Sequence, residues 1–250
     1  MRRSVFLSCA AALLSIIGPA ANAAAAARTG RAPTAKVRDW SAVVSQTPAG
    51  GFVMGNPNAK IKLVEYGSMT CPHCARFDAS GVPNLIDKYV KTGEVSWEFR
   101  NYVRDALDLT AALIARCNGA RSFFPVMRTF FEEQPNWETR VENLPQDREK
   151  AVNDLPPKQK FAALANLAGL SQLAAARGLP AARSKQCLSN DGSINQLVKM
   201  TGNATTEFPD FKGTPTFVIN GAMVDLGPVT EAQVWPALES KIRAALGGRR

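Results

Sequence analysis

Val64-Glu65-Tyr66-Gly67-Ser68-Met69-Thr70-Cys71-Pro72-His73-Cys74 joins the end of an apolar run to the start of a helix, and its reading decides the fold. Upstream, Ile61, Leu63 and Val64 make the run that a buried, central strand requires. Downstream, Thr70 is the expected N-cap and Pro72 falls in the first helical turn, where a missing N–H costs little. Two cysteines separated by two residues can close a disulfide across one turn. Cys71, the leading one, sits where unpaired N–H groups and the positive end of the helix dipole stabilise a thiolate. Such a thiol is a poor base and a good leaving group, the properties that thiol–disulfide exchange uses.

Other chemistries share this spacing, and the surrounding residues exclude them. Haem attachment needs histidine directly after the second cysteine, and Ala75 stands there. Zinc needs a second close pair of ligands, but Cys117 and Cys187 are isolated and His73 is the only histidine. No metal and no cofactor is implied. His73 can donate to the Cys71 thiolate and, when protonated, stabilise it by charge.

Beyond the first helix, which Gly81-Val82-Pro83 bends or ends, Val95, Trp97 and Phe99 alternate with polar residues over 94–103 as a second strand. A third strand covers 216–219 and runs into Asn220-Gly221, a strong hairpin signal, with its partner over 222–226. Thr230 opens a last helix to Leu246. Between these halves, 105–207 lacks any good strand; helical spacing recurs in segments such as 107–117, 122–132, 158–167 and 194–200. The polar, proline-containing stretch 136–157 reads as a long loop.

Met1-Arg2-Arg3, the apolar stretch 5–17 and Ala21-Asn22-Ala23 read as a secretory signal peptide over 1–23. Residues 24–50, rich in Ala, Pro, Gly and Ser, read as a flexible tether with Trp40 as its one anchor. The net charge of +9 falls to +7 without Arg2 and Arg3; the charges are scattered and carry no nucleic-acid module. Cys9 leaves with the leader, so four cysteines remain. In an exported chain, Cys117 and Cys187 are then expected to form a structural disulfide, with two buried free thiols as the alternative.

Glu65, six positions before Cys71, the Cys71-Pro72-His73-Cys74 tetrad and Gly213-Thr214-Pro215-Thr216-Phe217 together resemble the DsbA-like branch of the thioredoxin superfamily, over roughly 51–246. The resemblance implies an α/β thioredoxin fold, β-α-β then β-β-α, built from 51–104 and 208–250, with a helical domain over 105–207 inserted after the second strand. It implies Cys71 as nucleophile and Cys74 as resolving partner, with Pro72 and His73 tuning the leaving group. It implies that Glu65 lies beneath the disulfide and relays a proton to or from Cys74; the alternative turns Glu65 outward or beside a lysine. It also implies a cis Thr214–Pro215 bond facing Cys71, where a substrate chain adds as a strand.

The implied protein is a monomeric periplasmic thiol oxidase for exported polypeptides carrying cysteine thiols. A DsbB-like membrane quinone reductase would reoxidise it. Met69 and Phe77 are expected to offer apolar surface to those chains. Thr214 stands where DsbA-type oxidants often carry valine; its hydroxyl can bond a cysteine sulfur and make the couple less oxidising, which keeps a disulfide isomerase or reductase as the rival. Such rivals usually dimerise through an added N-terminal domain, for which the tether is too short. A chaperone-like binder with merely structural cysteines is the rival from another class, disfavoured by an exposed tetrad at a helix start.

Overall fold

The structure, a computed structural model, describes residues 38–247, so the signal peptide expected over 1–23 and the tether over 24–37 lie outside the described residues. From Trp40 onward the tether reading is corrected. Trp40–Ala42 makes a 3-10 turn and Val44–Gln46 is β1, paired antiparallel to β2 (Phe52–Gly55) with Val44 opposite Met54. Three residues with no alternation give no periodic signal, and it is pairing with β2 that orders them. Trp40 does anchor: its indole sits against Gly93, whose φ of +84° and lack of a side chain leave the room it occupies.

β3 (Ile61–Gly67) is the apolar run of the opening stretch, and it is central: β4 (Val95–Asn101) pairs parallel on one side and β5 (Thr216–Ile219) antiparallel on the other. With β6 (Ala222–Met223) the sheet reads β1-β2-β4-β3-β5-β6. Register places Glu65 between Phe99 and Phe217, and Leu63 between Trp97 and Ile219. Alternation sends these side chains to one face, which forms the main core with Phe52, Phe123 and Phe124. The opposite face carries a smaller cluster of Tyr66, Val218 and Ala204 under Phe208 and Phe211.

The crossover from β3 to β4 is α1 (Pro72–Ser80), a break at Gly81, α2 (Val82–Leu85) and a wider π turn over Ile86–Val90. Between β4 and β5 come eight helices: α3 (Ala106–Arg116), α4 (Ala120–Glu132), α5 (Gln134–Glu142), α6 (Gln146–Asn153), α7 (Pro157–Ala168), α8 (Leu170–Ala175), α9 (Ala181–Leu188) and α10 (Asp191–Glu207). The loop reading of 136–157 is therefore wrong. α5 is polar except on the side of Trp137, which is fully buried with its Nε1–H on the Phe130 carbonyl at 2.7 Å. One aromatic anchor, rather than a periodic stripe, holds that helix.

β5 and β6 turn through Asn220 and Gly221, both at positive φ, as a two-residue hairpin loop requires. α11 (Glu231–Leu246) closes the fold, with the Gln233 side-chain oxygen accepting from the Thr230 N–H and hydroxyl at 2.9 Å each. It packs on α1 and β3.

Candidate active site

Cys71, not Thr70, is the N-cap of α1, with Pro72 at the first helical position. Thr70 is unavailable for capping because its hydroxyl accepts from Arg104 at 2.8 Å and contacts Ser68. Cys71 and Cys74 are both free thiols and both buried, Cys71 retaining 3 % of its surface and Cys74 none. Only Pro72 and His73 of the tetrad are exposed, which corrects the expectation of an exposed tetrad at the sulfur atoms.

The two thiols are pushed in opposite directions. The Cys71 thiol is lowered to about 5, first by a hydrogen bond from Cys74, then by the Thr214 side chain and the backbone N–H groups of Cys74 and His73, against the opposing effect of burial. Cys74 is held well above an ordinary thiol by burial, by its bond to Cys71 and by the charges of Cys71 and Glu65. The pair is thus asymmetric, an acidic thiol beside a buried one that keeps its proton.

Glu65 points inward from β3 and is buried, with Trp97 Nε1–H donating to its Oε2 at 3.1 Å. Among the described residues, no lysine bonds to it. Burial, and after it the charge of Asp78, raises its carboxyl well above the usual range. Asp78, one turn beyond Cys74 on α1, is itself raised to about 6 by burial; its Oδ1 has no partner and its Oδ2 lies 3.4 Å from Arg128 Nε. It lines a cleft of about 740 Å³ with Arg76, Arg128 and Arg177.

Thr214 and Pro215 come back beside Cys71. Their peptide bond is cis, and the Cys71 Sγ–H donates to the Thr214 carbonyl at 3.2 Å. That carbonyl favours the protonated thiol, while the Thr214 side chain works toward the thiolate, so the residue acts on Cys71 in both senses. A groove of about 720 Å³ runs from His73 past Thr214 and Pro215 to Glu231 and Val234. Met69 and Phe77 contribute nothing to any apolar surface: both are buried, Phe77 edge-on to Phe217 at 4.8 Å.

The His73 imidazole is bonded by groups other than Cys71. Its Nδ1 is 2.9 Å from Glu231 Oε1 at the start of α11 and 3.1 Å from Arg76 Nη2, and Arg76 also pairs with Glu231. What His73 gives the thiolate is its backbone N–H. Glu231→Gln should free the ring to swing toward the sulfur and lower the alkylation midpoint of Cys71 by some tenths of a pH unit, the scale of an exposed ion pair. In a His73→Ser background the same substitution should do nothing; an equal shift there would mean that Glu231 acts without His73.

Cys117, at the end of α3, and Cys187, in α9, are bonded, with Cα atoms 5.7 Å apart. Two groups that the sequence did not single out also reach the site. Asp108, fully buried in α3 and raised to about 7 by burial, accepts from Ser68 and Met69; Gln134, opening α5, donates to the Met69 carbonyl. The available signal for Asp108 was a carboxylate inside the apolar run 106–115; Gln134 had none.

The thioredoxin family profile matches residues 47–240. A Rickettsia prowazekii chain named as a protein-disulfide oxidoreductase is 31% identical over 175 residues, 70% of this chain and 56% of its own; the chain thus spans a little over half the length of that relative. The crystal structure of a protein-disulfide isomerase from Novosphingobium aromaticivorans is 30% identical with a TM-score of 0.70, covering 76% of this chain and 96% of that one. Wolbachia pipientis alpha-DsbA1, at 22% identity and a TM-score of 0.61, covers 82% and 94% and shares the fold. With the Cys71–Cys74 pair at a helix start and a cis-proline loop against it, the chain belongs to the thioredoxin family.

Proposed function

We propose that the protein is a periplasmic thiol:disulfide oxidase that donates the Cys71–Cys74 disulfide to exported polypeptides. The observation that carries this reading is the Cys71 thiol lowered to about 5 over a Cys74 thiol raised by burial. A substrate thiolate attacks Cys71 Sγ; the Cys71–Cys74 bond breaks and Cys74 leaves as a thiolate. Buried Cys74 favours its proton, and Glu65, whose burial favours the neutral acid, can supply it. The substrate's second thiolate then attacks its own sulfur in the mixed disulfide and expels Cys71 as a stable thiolate. The substrate leaves with one disulfide and the protein with two reduced cysteines, for which a DsbB-like membrane quinone reductase is the proposed electron acceptor. The substrate chain lies along the groove at Thr214 and Pro215, with the protein acting as a monomer.

A second reading, an isomerase or reductase kept reduced by a membrane partner, is favoured by the name of the Novosphingobium relative, whereas the Thr214 side chain, expected to make the couple less oxidising, works toward the Cys71 thiolate instead. The equilibrium of the pair with glutathione separates the two. A reduction potential toward the DsbA value of about −120 mV supports donation of disulfides, and one near the thioredoxin value of about −270 mV overturns it.

A further inference from the structure

Met69 is the middle residue of the loop that carries Cys71, and both of its backbone groups are bonded by side chains from the helical segment after β4. Its N–H donates to Asp108 Oδ1 at 2.8 Å, and its carbonyl accepts from Gln134 Nε2 at 2.7 Å. On one side of it, the Ser68 hydroxyl donates to Asp108 Oδ2 at 2.7 Å and accepts from Arg104 Nε at 2.9 Å. On the other, Arg104 Nη2 donates to the Thr70 hydroxyl at 2.8 Å and to the Thr70 carbonyl. The Arg104 N–H itself donates to Asp108 Oδ2 at 3.0 Å, which ties the clamp together. Ser68, Met69, Asp108 and Gln134 are buried, so water does not compete for these bonds.

The clamp reaches the nucleophile in one step, because the Cys71 N–H donates to the Ser68 carbonyl at 3.2 Å. Where Ser68 to Thr70 sit decides whether the Cys71 sulfur lies on the N–H groups of His73 and Cys74. We propose that Asp108, with Arg104 and Gln134, is a positioning residue for the Cys71 thiolate, so that the inserted helices hold the redox loop in register with the start of α1. The inference rests on the reading of Cys71 as the acidic nucleophile. A carboxylate suits the post: three donors converge on two acceptor oxygens, whereas an amide offers one oxygen and turns an NH₂ toward at least one donor.

Asp108, raised to about 7, is already protonated where Cys71 titrates near 5, so exchanging it for Asn changes no charge there and leaves position as what can move the Cys71 midpoint. Loosening the loop takes the sulfur off its donors and raises it. The experiment titrates Cys71 by alkylation rate in the wild type, in Asp108→Asn and in the uncharged exchange Gln134→Met, with a melting curve for each. The expected result is a midpoint raised by about one pH unit in both variants, a tenfold shift in ionisation. An unchanged or lowered midpoint in folded protein overturns the inference, whatever the melting temperature does, since a merely structural clamp would move only the latter. If Asp108→Asn does not fold, Gln134→Met decides on the same terms. A wild-type midpoint at an ordinary thiol value would instead remove the acidic nucleophile itself, which separates that failure from a failure of the clamp.

Discussion

Replacing Cys71 with serine is expected to abolish disulfide exchange, while Cys74→Ser keeps Cys71 reactive and traps substrate as a mixed disulfide. The same sulfur should show an unusual pH profile. With its thiol lowered to about 5, the wild-type reduced protein should alkylate at Cys71 with a midpoint near that pH and be almost fully ionised at neutrality. The stability consequence has a definite sign. A depressed native pKa means that the folded reduced chain releases its proton more readily than the unfolded one. The resulting stability is complete above the unfolded thiol value near 9 and is lost as pH falls through about 5. The gap between 9 and about 5 corresponds to something on the order of 5 kcal/mol.

Buried carboxyls work against this trend. Asp78 and Asp108 are raised to about 6 and about 7, so the native chain holds their protons and loses stability as pH rises through those values. Comparing reduced with oxidised protein largely cancels them, because both forms contain them. Urea unfolding of the two forms should therefore show the reduced form gaining on the oxidised as pH climbs from below 5 toward 9. Parallel curves would show that Cys71 carries no depressed pKa.

Removing the Cys117–Cys187 bond is expected to destabilise the fold strongly. It closes a loop with a sequence separation of 70, for which the chain-entropy estimate is about 4 kcal/mol. A double Cys117→Ala, Cys187→Ala variant should melt roughly 10 °C lower. Substitution is the right tool, since a reductant would also act on Cys71 and Cys74 when they are bonded. Exchange at Cys71 should survive, because none of its hydrogen bonds comes from either residue. An unchanged melting temperature would mean that the bond constrains a loop already ordered in the unfolded chain.

Local signals made some parts of this molecule legible in the sequence. β3 and α1 showed as an apolar run followed by a helix start, the hairpin as Asn220-Gly221, and α11 as Thr230 followed by a helical period. What stayed hidden depends on partners distant in the chain. β1 exists because β2 pairs with it, and α5 because Trp137 is buried under α4. The His73 ring pairs with Glu231, at the start of another helix. Met69 and Phe77 look like exposed apolar residues beside a redox motif, yet the inserted helices and β5 bury both. The cysteine pair, the N–H groups of the helix start and Thr214 could be read from the sequence; Asp108, Arg104 and Gln134, which hold the loop before Cys71, could not.

The turn at Asn220 acts on the Cys71 loop from the far end of β5. Its side-chain oxygen accepts from the Lys62 N–H at 2.8 Å and its own N–H donates to the Lys62 carbonyl at 2.9 Å, so β5 is pinned to β3 at a fixed notch. Counting back from that notch puts Phe217 opposite Glu65 and Thr216 opposite Tyr66, and the next residues are Pro215 and Thr214. A slip of one residue would turn Phe217 outward and carry the Thr214 carbonyl about 3.3 Å along the strand, beyond reach of the Cys71 sulfur. The hairpin is thus the zero mark of a ruler, and the reactive sulfur is read off at its other end.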